Sequence, residues 1–277
     1  MRRKSESLPD ACEKASQLSL FSGRRRTLRR YVIGLYRKSA PGHSFFRLRG
    51  LMKFAGFQKL SLLNYPDKIA CTLFTSGCNL RCPWCHNSGL VRRKTEVFDQ
   101  EKVFEYLRKR KGLLEGICIS GGEPLIQNGL PGFLRSVKEL GYFVKLDTNG
   151  CFPDRLEELI TDRVVDYVAM DIKNVPEKYA DTVGLLEVPL SEIFRSVGIL
   201  RDCGIYYEFR TTVIREFHNS ADINAIAEFL QGAEIWYLQP FHDAPEVERR
   251  GLHSPTPEEM KIYDSIGNRY LKTMVRK

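Results

Sequence analysis

Residues 166–173 read DYVAMDIK, and the alternation within them decides the fold. Successive side chains of a strand point to opposite faces, so Asp171 and Lys173 share one face while Val168, Met170 and Ile172 share the other. Residues 142–148, YFVKLDT, split the same way, with Lys145 and Asp147 against Val144 and Leu146. Residues 206–213, YYEFRTTV, repeat it with Glu208 and Arg210 against Phe209, Thr211 and Val213. Three strands in succession thus carry charge on one side and apolar surface on the other. A doubly wound sheet is covered by helices on both faces and reads apolar on both, whereas a barrel interior can host a polar site near the C-terminal strand ends. The pattern predicts an α/β barrel or partial barrel.

Outward from these three, further strands are expected at 68–75, 116–120 and 234–241. Amphipathic helical spacing is expected between them at 100–111, 130–140, 153–160, 191–203 and 220–231, with a last helix at 256–271. Strand and helix alternating six times give a parallel sheet with right-handed crossovers.

The chain has 277 residues, 43% of them apolar, which suits a folded core that needs no disulfide staples and argues against global disorder. No run nears the roughly 18 apolar residues of a membrane-spanning helix, so no integral membrane segment is expected. The formal net charge of +9 is unevenly placed: residues 1–55 hold 14 Lys/Arg and 3 Asp/Glu, and the rest is close to neutral. A nucleic-acid binder needs a basic patch on its folded body, and this body does not supply the charge for one. Within the basic extension, Leu28, Tyr31, Val32, Leu35 and Tyr36 have the spacing of a short amphipathic helix. A membrane-surface helix, an Arg- and Ser-rich targeting segment and a mis-assigned start are the three readings. The last is preferred, because the sequence from Met52 accounts for the fold unaided. The expected organisation is a basic extension over 1–51 and a barrel domain over 52–277.

Cys78, Cys82 and Cys85 stand at spacing C-x3-C-x2-C in TSGCNLRCPWCHN, directly after the first expected strand. A disulfide framework suits small secreted chains, and structural zinc wants four ligands, so that His86 or Cys71 would have to complete the set. An iron–sulfur cubane fits the count better, since three thiolates hold three corners and leave one iron open. Cys12, Cys71, Cys118, Cys151 and Cys203 follow no pairing pattern and read as small buried hydrophobes. His43, His218 and His253 read as surface or loop residues.

The triplet, with Trp84 before its last cysteine, resembles the signature of the radical S-adenosylmethionine (SAM) superfamily. Ser120-Gly121-Gly122-Glu123-Pro124 closes the second expected strand, where glycines let backbone approach a ligand, and resembles that superfamily's GGEP motif. The resemblance implies a partial (β/α)6, TIM-like barrel and a [4Fe-4S] cluster on Cys78, Cys82 and Cys85. The free iron would bind the amino and carboxylate groups of SAM, and one electron would cleave SAM to methionine and a 5′-deoxyadenosyl radical. The GGEP turn would meet the SAM amino group, and Trp84 would pack near cluster and adenine. Ordinary core packing is the alternative role for Trp84.

Several flanking stretches resemble the activating proteins of glycyl radical enzymes: Gly56 to Leu62, Tyr65-Pro66, Cys85-His86-Asn87, Asp147 to Gly150, Met170 to Lys173, Glu208 to Thr212 and Gln239 to His242. They are nearest to the activating proteins of anaerobic ribonucleoside-triphosphate reductase, with the pyruvate formate-lyase activating enzyme more distant. The resemblance places Asp171, Lys173, Arg210, His242 and Asn87 at the SAM site. It also implies a monovalent cation held by Asp147, Thr148, Asp171 and the Ala169 carbonyl, a hard-oxygen set. No side chain is implied as the catalytic agent, because the adenosyl radical takes that part. The ferredoxin-like insert of glycerol- and benzyl-type activases is missing between Cys85 and Gly121, where Cys118 is the only cysteine.

The implied activity is removal of a hydrogen atom from a backbone glycine of a partner enzyme, with flavodoxin or ferredoxin as electron donor, in an anaerobic cytoplasm. A radical SAM enzyme acting on a small molecule such as a nucleoside precursor is the alternative, and a non-enzymatic zinc or nucleic-acid binder is a third reading.

Overall fold

In a computed structural model of the chain, residues 52–92 and 98–276 are described. The basic extension over 1–51, with its amphipathic spacing, Cys12 and His43, lies outside the described residues.

Nine strands form one sheet among the described residues. In chain order they are β1 Lys53–Ser61, β2 Ala70–Thr75, β3 Phe98–Asp99, β4 Gly116–Gly121, β5 Phe143–Thr148, β6 Tyr167–Asp171, β7 Tyr206–Val213, β8 Trp236–Pro240 and β9 Thr273–Val275. Their spatial order is β3-β1-β2-β4-β5-β6-β7-β8-β9. Every pairing from β2 through β9 is parallel, while β1 runs antiparallel to both β2 and β3. The sheet is open, ending at β3 and β9. Its polar face is concave, since Arg210 on β7 reaches Asp147 on β5 across the intervening β6. The six strands expected from the sequence are all present. An N-terminal hairpin strand, the two-residue β3 and a seventh parallel strand, β9, extend the six-unit partial barrel.

The alternation that predicted the fold holds at the side-chain level. Val144, Leu146, Val168, Met170, Phe209 and Val213 are buried on the helix-covered face, each worth roughly 1.5–3 kcal/mol relative to exposure. Thr211, the polar member of that face, donates its hydroxyl to the Ile172 carbonyl at 2.7 Å and accepts from Trp236 Nε1 at 3.0 Å. The expected helices form at Gln100–Lys109, Leu130–Glu139, Pro153–Thr161, Leu190–Asp202, Ser220–Phe229 and Pro257–Gly267. The last two start at reciprocal capping boxes, Asn219 with Asp222 and Thr256 with Glu259, which satisfy otherwise orphaned N–H groups. Two helices were not expected, the single turn Ser88–Val91 and the longer Pro176–Val183. Among the described residues no helix is long and apolar enough to cross a membrane.

Candidate active site

The loop after β2 carries the three cysteines, and the helix Pro176–Val183 is its seat. The Val183 carbonyl accepts from the Arg81 N–H at 2.9 Å, and the Thr182 carbonyl accepts from Trp84 Nε1 at 2.9 Å. From within the loop, Arg81 Nη1 donates to the Cys78 and Leu80 carbonyls at 2.6 and 2.7 Å. Gly184 ends the helix at φ +68°, and a Cβ there would lie 2.3 Å from the Arg81 carbonyl oxygen. Gly184→Val is therefore expected to push the loop off its seat, adding a left-handed backbone penalty of about 1–2 kcal/mol. Iron bound per chain should fall while the far-ultraviolet spectrum stays native. Iron content equal to the parent's would show that the loop does not depend on this contact.

Opposite the loop stands the turn that follows β4. Gly121 has φ +119°, and a Cβ on Gly122 would fall 1.9 Å from the Gly77 carbonyl oxygen, so only glycine lets this turn press against the start of the cysteine loop. The Glu123 N–H donates to that same carbonyl at 2.9 Å. The Glu123 carboxylate is completely buried and accepts from the Leu125 N–H at 3.0 Å, the Thr148 hydroxyl at 2.9 Å and the Asn149 N–H at 2.8 Å. Burial outweighs these donors and lifts its pKa to about 7. Its side chain thus ties the ends of β4 and β5 together, and what the turn offers a ligand is backbone.

The inward charges join into one row. Lys173 Nζ donates to Asp171 Oδ2 at 2.9 Å, and Arg210 Nε donates to Asp171 Oδ1 at 2.8 Å. Arg210 Nη1 lies 3.4 Å from Asp147 Oδ1, which also accepts from Lys145. Burial opposes ionisation of Asp147, but Arg210 and Lys145 overcome it and hold the pKa down at about 2. Asp171 is lowered in the same manner, against burial, by Arg210 and Lys173. Burial also works against the Lys173 ammonium, yet Asp171 and Cys82 raise its pKa. Asp147, Asp171, Lys173 and Arg210 therefore stay charged at neutral pH. Lys173 Nζ sits 4.9 Å from the Trp84 ring centroid, linking the row to the cysteine loop.

A cavity of about 270 Å³ lies between loop, turn and row. Cys78, Cys82, Cys85, Trp84, Asn87, Gly121, Gly122, Glu123, Asp147, Thr148, Asp171, Lys173 and Arg210 all line it, while Ala169, expected through its carbonyl, does not. Among the residues expected to act through a side chain or the glycine turn, the structure thus gathers all but one. His242 is the exception. It follows β8 with its side chain exposed, and its carbonyl meets His86 Nε2 at 2.6 Å. Trp84 borders the cavity and also packs with Ile214, Phe241, Val247 and Leu252. His218 lies in the loop before the helix Ser220–Phe229, as expected, but is buried: its Nε2 lies 2.8 Å from the Lys173 carbonyl and braces the backbone of the row.

Ser120, Asn149, Thr212 and Gln239 also line the cavity; the sequence reading quoted the stretches that hold them but gave none of the four a site role of its own. For Ser120, Thr212 and Gln239 the signal was present, since each lies two residues beyond Cys118, Arg210 and Tyr237 on the same strand face. Asn149 stands two residues beyond Asp147 but just past the end of β5, where strand alternation no longer applies. It donates through Nδ2 to Asn79 Oδ1 at 2.8 Å, beside Cys78 Sγ at 3.8 Å.

The donor set fits a cluster. All seven described cysteines are free, and the three loop thiols share one cavity wall, close enough to influence one another's ionisation. Among the described residues no three His, Cys, Asp or Glu side chains converge as a single-ion site would require. Three soft thiols beside an open space suit a cubane that keeps one iron free. Burial pushes Cys78 up to about 11 and Cys82 up to about 12, with Lys173 pulling each downward. The Lys173 charge thus favours the thiolate forms that iron requires.

Residues 72–230 match the family model of the radical SAM superfamily. A "Putative glycyl-radical enzyme activating enzyme" of Methanocaldococcus jannaschii is 31% identical over 227 residues, spanning 80% of this chain and 94% of its own length. A pyruvate formate-lyase-activating enzyme of Listeria monocytogenes is 36% identical over 228 residues, spanning 73% of this chain and 88% of its own. In fold, a radical SAM methyltransferase of Sphaerobacter thermophilus superposes with a TM-score of 0.60 at 17% identity, over 78% of this chain and 68% of its own.

Proposed function

The chain belongs to the radical SAM superfamily and to its glycyl-radical enzyme activating family, and from that premise we propose that its partner is an anaerobic ribonucleoside-triphosphate reductase, from which it removes a backbone glycine hydrogen. Membership brings a [4Fe-4S] cluster and SAM as cofactors. What supports the finer reading at the site is that one cavity sets three thiols against the Lys173–Asp171–Arg210 row. Cys78, Cys82 and Cys85 would hold three irons. When bound, cluster and SAM supply a one-electron reduction and a hydrogen-abstracting carbon radical.

The chain's own residues then have positioning tasks. Lys173 and Arg210 present fixed positive charge to the SAM carboxylate, and Asp171 keeps both cations in place. Gly121 and Gly122 open backbone to the amino group, with Glu123 fixing the turn. Trp84 and Asn87 border the rest of the ligand, and His242 is assigned there on resemblance alone. A monovalent cation at Asp147, Thr148 and Asp171 with the Ala169 carbonyl belongs to the same proposal and would show as potassium-dependent SAM affinity. Flavodoxin or ferredoxin as donor and an oxygen-free cytoplasm complete it, and anaerobic reduction of the cluster by each carrier tests the donor. Residues 52–277 are the proposed catalytic domain. A chain starting at Met52 should then bind iron as the longer one does, and loss of iron binding would assign a function to 1–51.

Lys173→Ala removes a charge-assisted partner worth roughly 1.5–3 kcal/mol. Iron content should be unchanged and SAM affinity should fall; low iron with unaltered SAM affinity would place Lys173 in cluster assembly instead. The partner is tested by anaerobic incubation with the reductase and, separately, with pyruvate formate-lyase, followed by assays of nucleotide reduction and formate production. Activation of the reductase is expected. Activation of the lyase alone would overturn the partner while leaving the family intact.

A further inference from the structure

Toward the N-terminal ends of the strands, below the row that borders the cavity, a second charged group occupies the barrel floor. Glu208 on β7 is completely buried. Arg276 donates through Nη1 to its Oε1 at 2.9 Å and through Nη2 to its Oε2 at 2.8 Å, and the Tyr167 hydroxyl donates to Oε2 at 2.7 Å. Arg276 directly follows β9, where its N–H donates to the Leu238 carbonyl at 2.9 Å and its guanidinium lies 3.7 Å from the Tyr237 ring centroid. Glu208 shares the inward face of β7 with Arg210, and its charge acts on both Arg210 and Lys145. Those are the two cations that hold Asp147.

A buried carboxylate must be paired, and it takes whichever cation can reach it. With Arg276 forked onto Glu208, Lys145 and Arg210 are left to Asp147 and Asp171. We propose that Arg276 and Glu208 are positioning residues for the SAM site: the C-terminal strand neutralises the floor, so that Lys145 and Arg210 stay directed at the carboxylates bordering the cavity. The proposal rests on the reading that SAM binds against this row. Without Arg276, Glu208 competes for Lys145 and Arg210 and the row breaks. With both floor charges neutralised, the competitor is gone and the row reforms.

The test uses the full chain, reconstituted anaerobically, with iron content, thermal midpoint and the SAM dissociation constant measured by equilibrium dialysis. R276Q should bind iron like the parent and bind SAM about tenfold or more weakly, a change of about 1.4 kcal/mol or more. R276K should recover part of the loss, and E208Q/R276Q should come close to parental SAM affinity despite having lost both charges. A pair with only a structural role would lower the thermal midpoint of R276Q and leave SAM affinity alone, which overturns the proposal. R210Q separates the two levels. If R210Q weakens SAM binding and R276Q does not, the positioning role fails. If neither does, the placement of SAM against the row fails with it. Should R276Q not fold, the double variant decides, since weak SAM binding in E208Q/R276Q contradicts the competition on which the proposal rests.

Discussion

Replacing any one of Cys78, Cys82 or Cys85 by Ala is expected to abolish iron–sulfur absorption and SAM cleavage together. Anaerobically reconstituted parent protein should hold about four irons and four sulfides per chain. Cys118, Cys151 and Cys203 are different in kind. Cys118 is buried beside Asp147, with its Sγ 3.7 Å from Oδ2; Cys151 is buried behind Asn149; Cys203 donates to the Leu200 carbonyl at 2.9 Å near a helix end. Their replacement by Ala should leave the cluster in place. Assembly should also depend on pH with a definite sign. The free thiols of Cys78 and Cys82, held near 11 and 12 chiefly by burial, are protonated at neutral pH, and a bound thiolate has lost its proton. Loading of the metal-free chain therefore releases protons and strengthens as pH rises. A stoichiometric zinc ion without iron–sulfur absorption, or full absorption in the Cys82→Ala variant, would contradict the assignment.

The second large effect is expected at Arg210. Arg210→Leu leaves the Asp147 and Asp171 carboxylates without their shared cation, in a site where Lys145 is only 2% exposed. Breaking a buried pair from one side costs about 3–5 kcal/mol, which for a domain of this size lowers the thermal midpoint by about 10 °C. The pH dependence follows from the direction of the carboxyl shifts. Asp147 sits at about 2 in the folded protein, against about 3.9 in an unfolded chain. Its stabilising contribution is complete above the unfolded value and disappears as pH falls through the folded one. The stability gap between parent and Arg210→Leu should therefore be widest near neutrality and narrow between about pH 4 and pH 2. A gap that stays constant across that range would mean that Arg210 acts through packing and not through charge.

Most of the barrel was legible because its strands are regular. β5, β6 and β7 keep strict alternation across a face that mixes charge with a helix-covered apolar side, and the structure places every one of those charges where the alternation put it. β1 was not read as a strand because register shifts between Phe54 and Gly56 and between Gln58 and Ser61 break its period of two. β9 has only three residues. The helix Pro176–Val183 buries only Tyr179, Thr182 and Val183, too few to mark an amphipathic stripe, yet its last carbonyls support the cysteine loop. At the site, residues with distinctive chemistry announced themselves: the cysteine spacing, the Gly-Gly turn and the inward charges. Arg276 did not, because its importance lies in a partner 68 residues away in sequence. His242 shows the converse. Motif resemblance directed it into the site, while the loop after β8 engages His86 through the His242 backbone and leaves its side chain exposed.

Electron paramagnetic resonance on an anaerobic mixture of reconstituted protein, SAM, a one-electron reductant and the ribonucleotide reductase tests the central claim most directly. The account predicts a stable glycyl radical doublet on the reductase. The doublet should require SAM, disappear with Cys82→Ala, and be lost when the target glycine is replaced by alanine. SAM cleaved at the full rate with no radical on the reductase or on any other glycyl radical enzyme offered would contradict it.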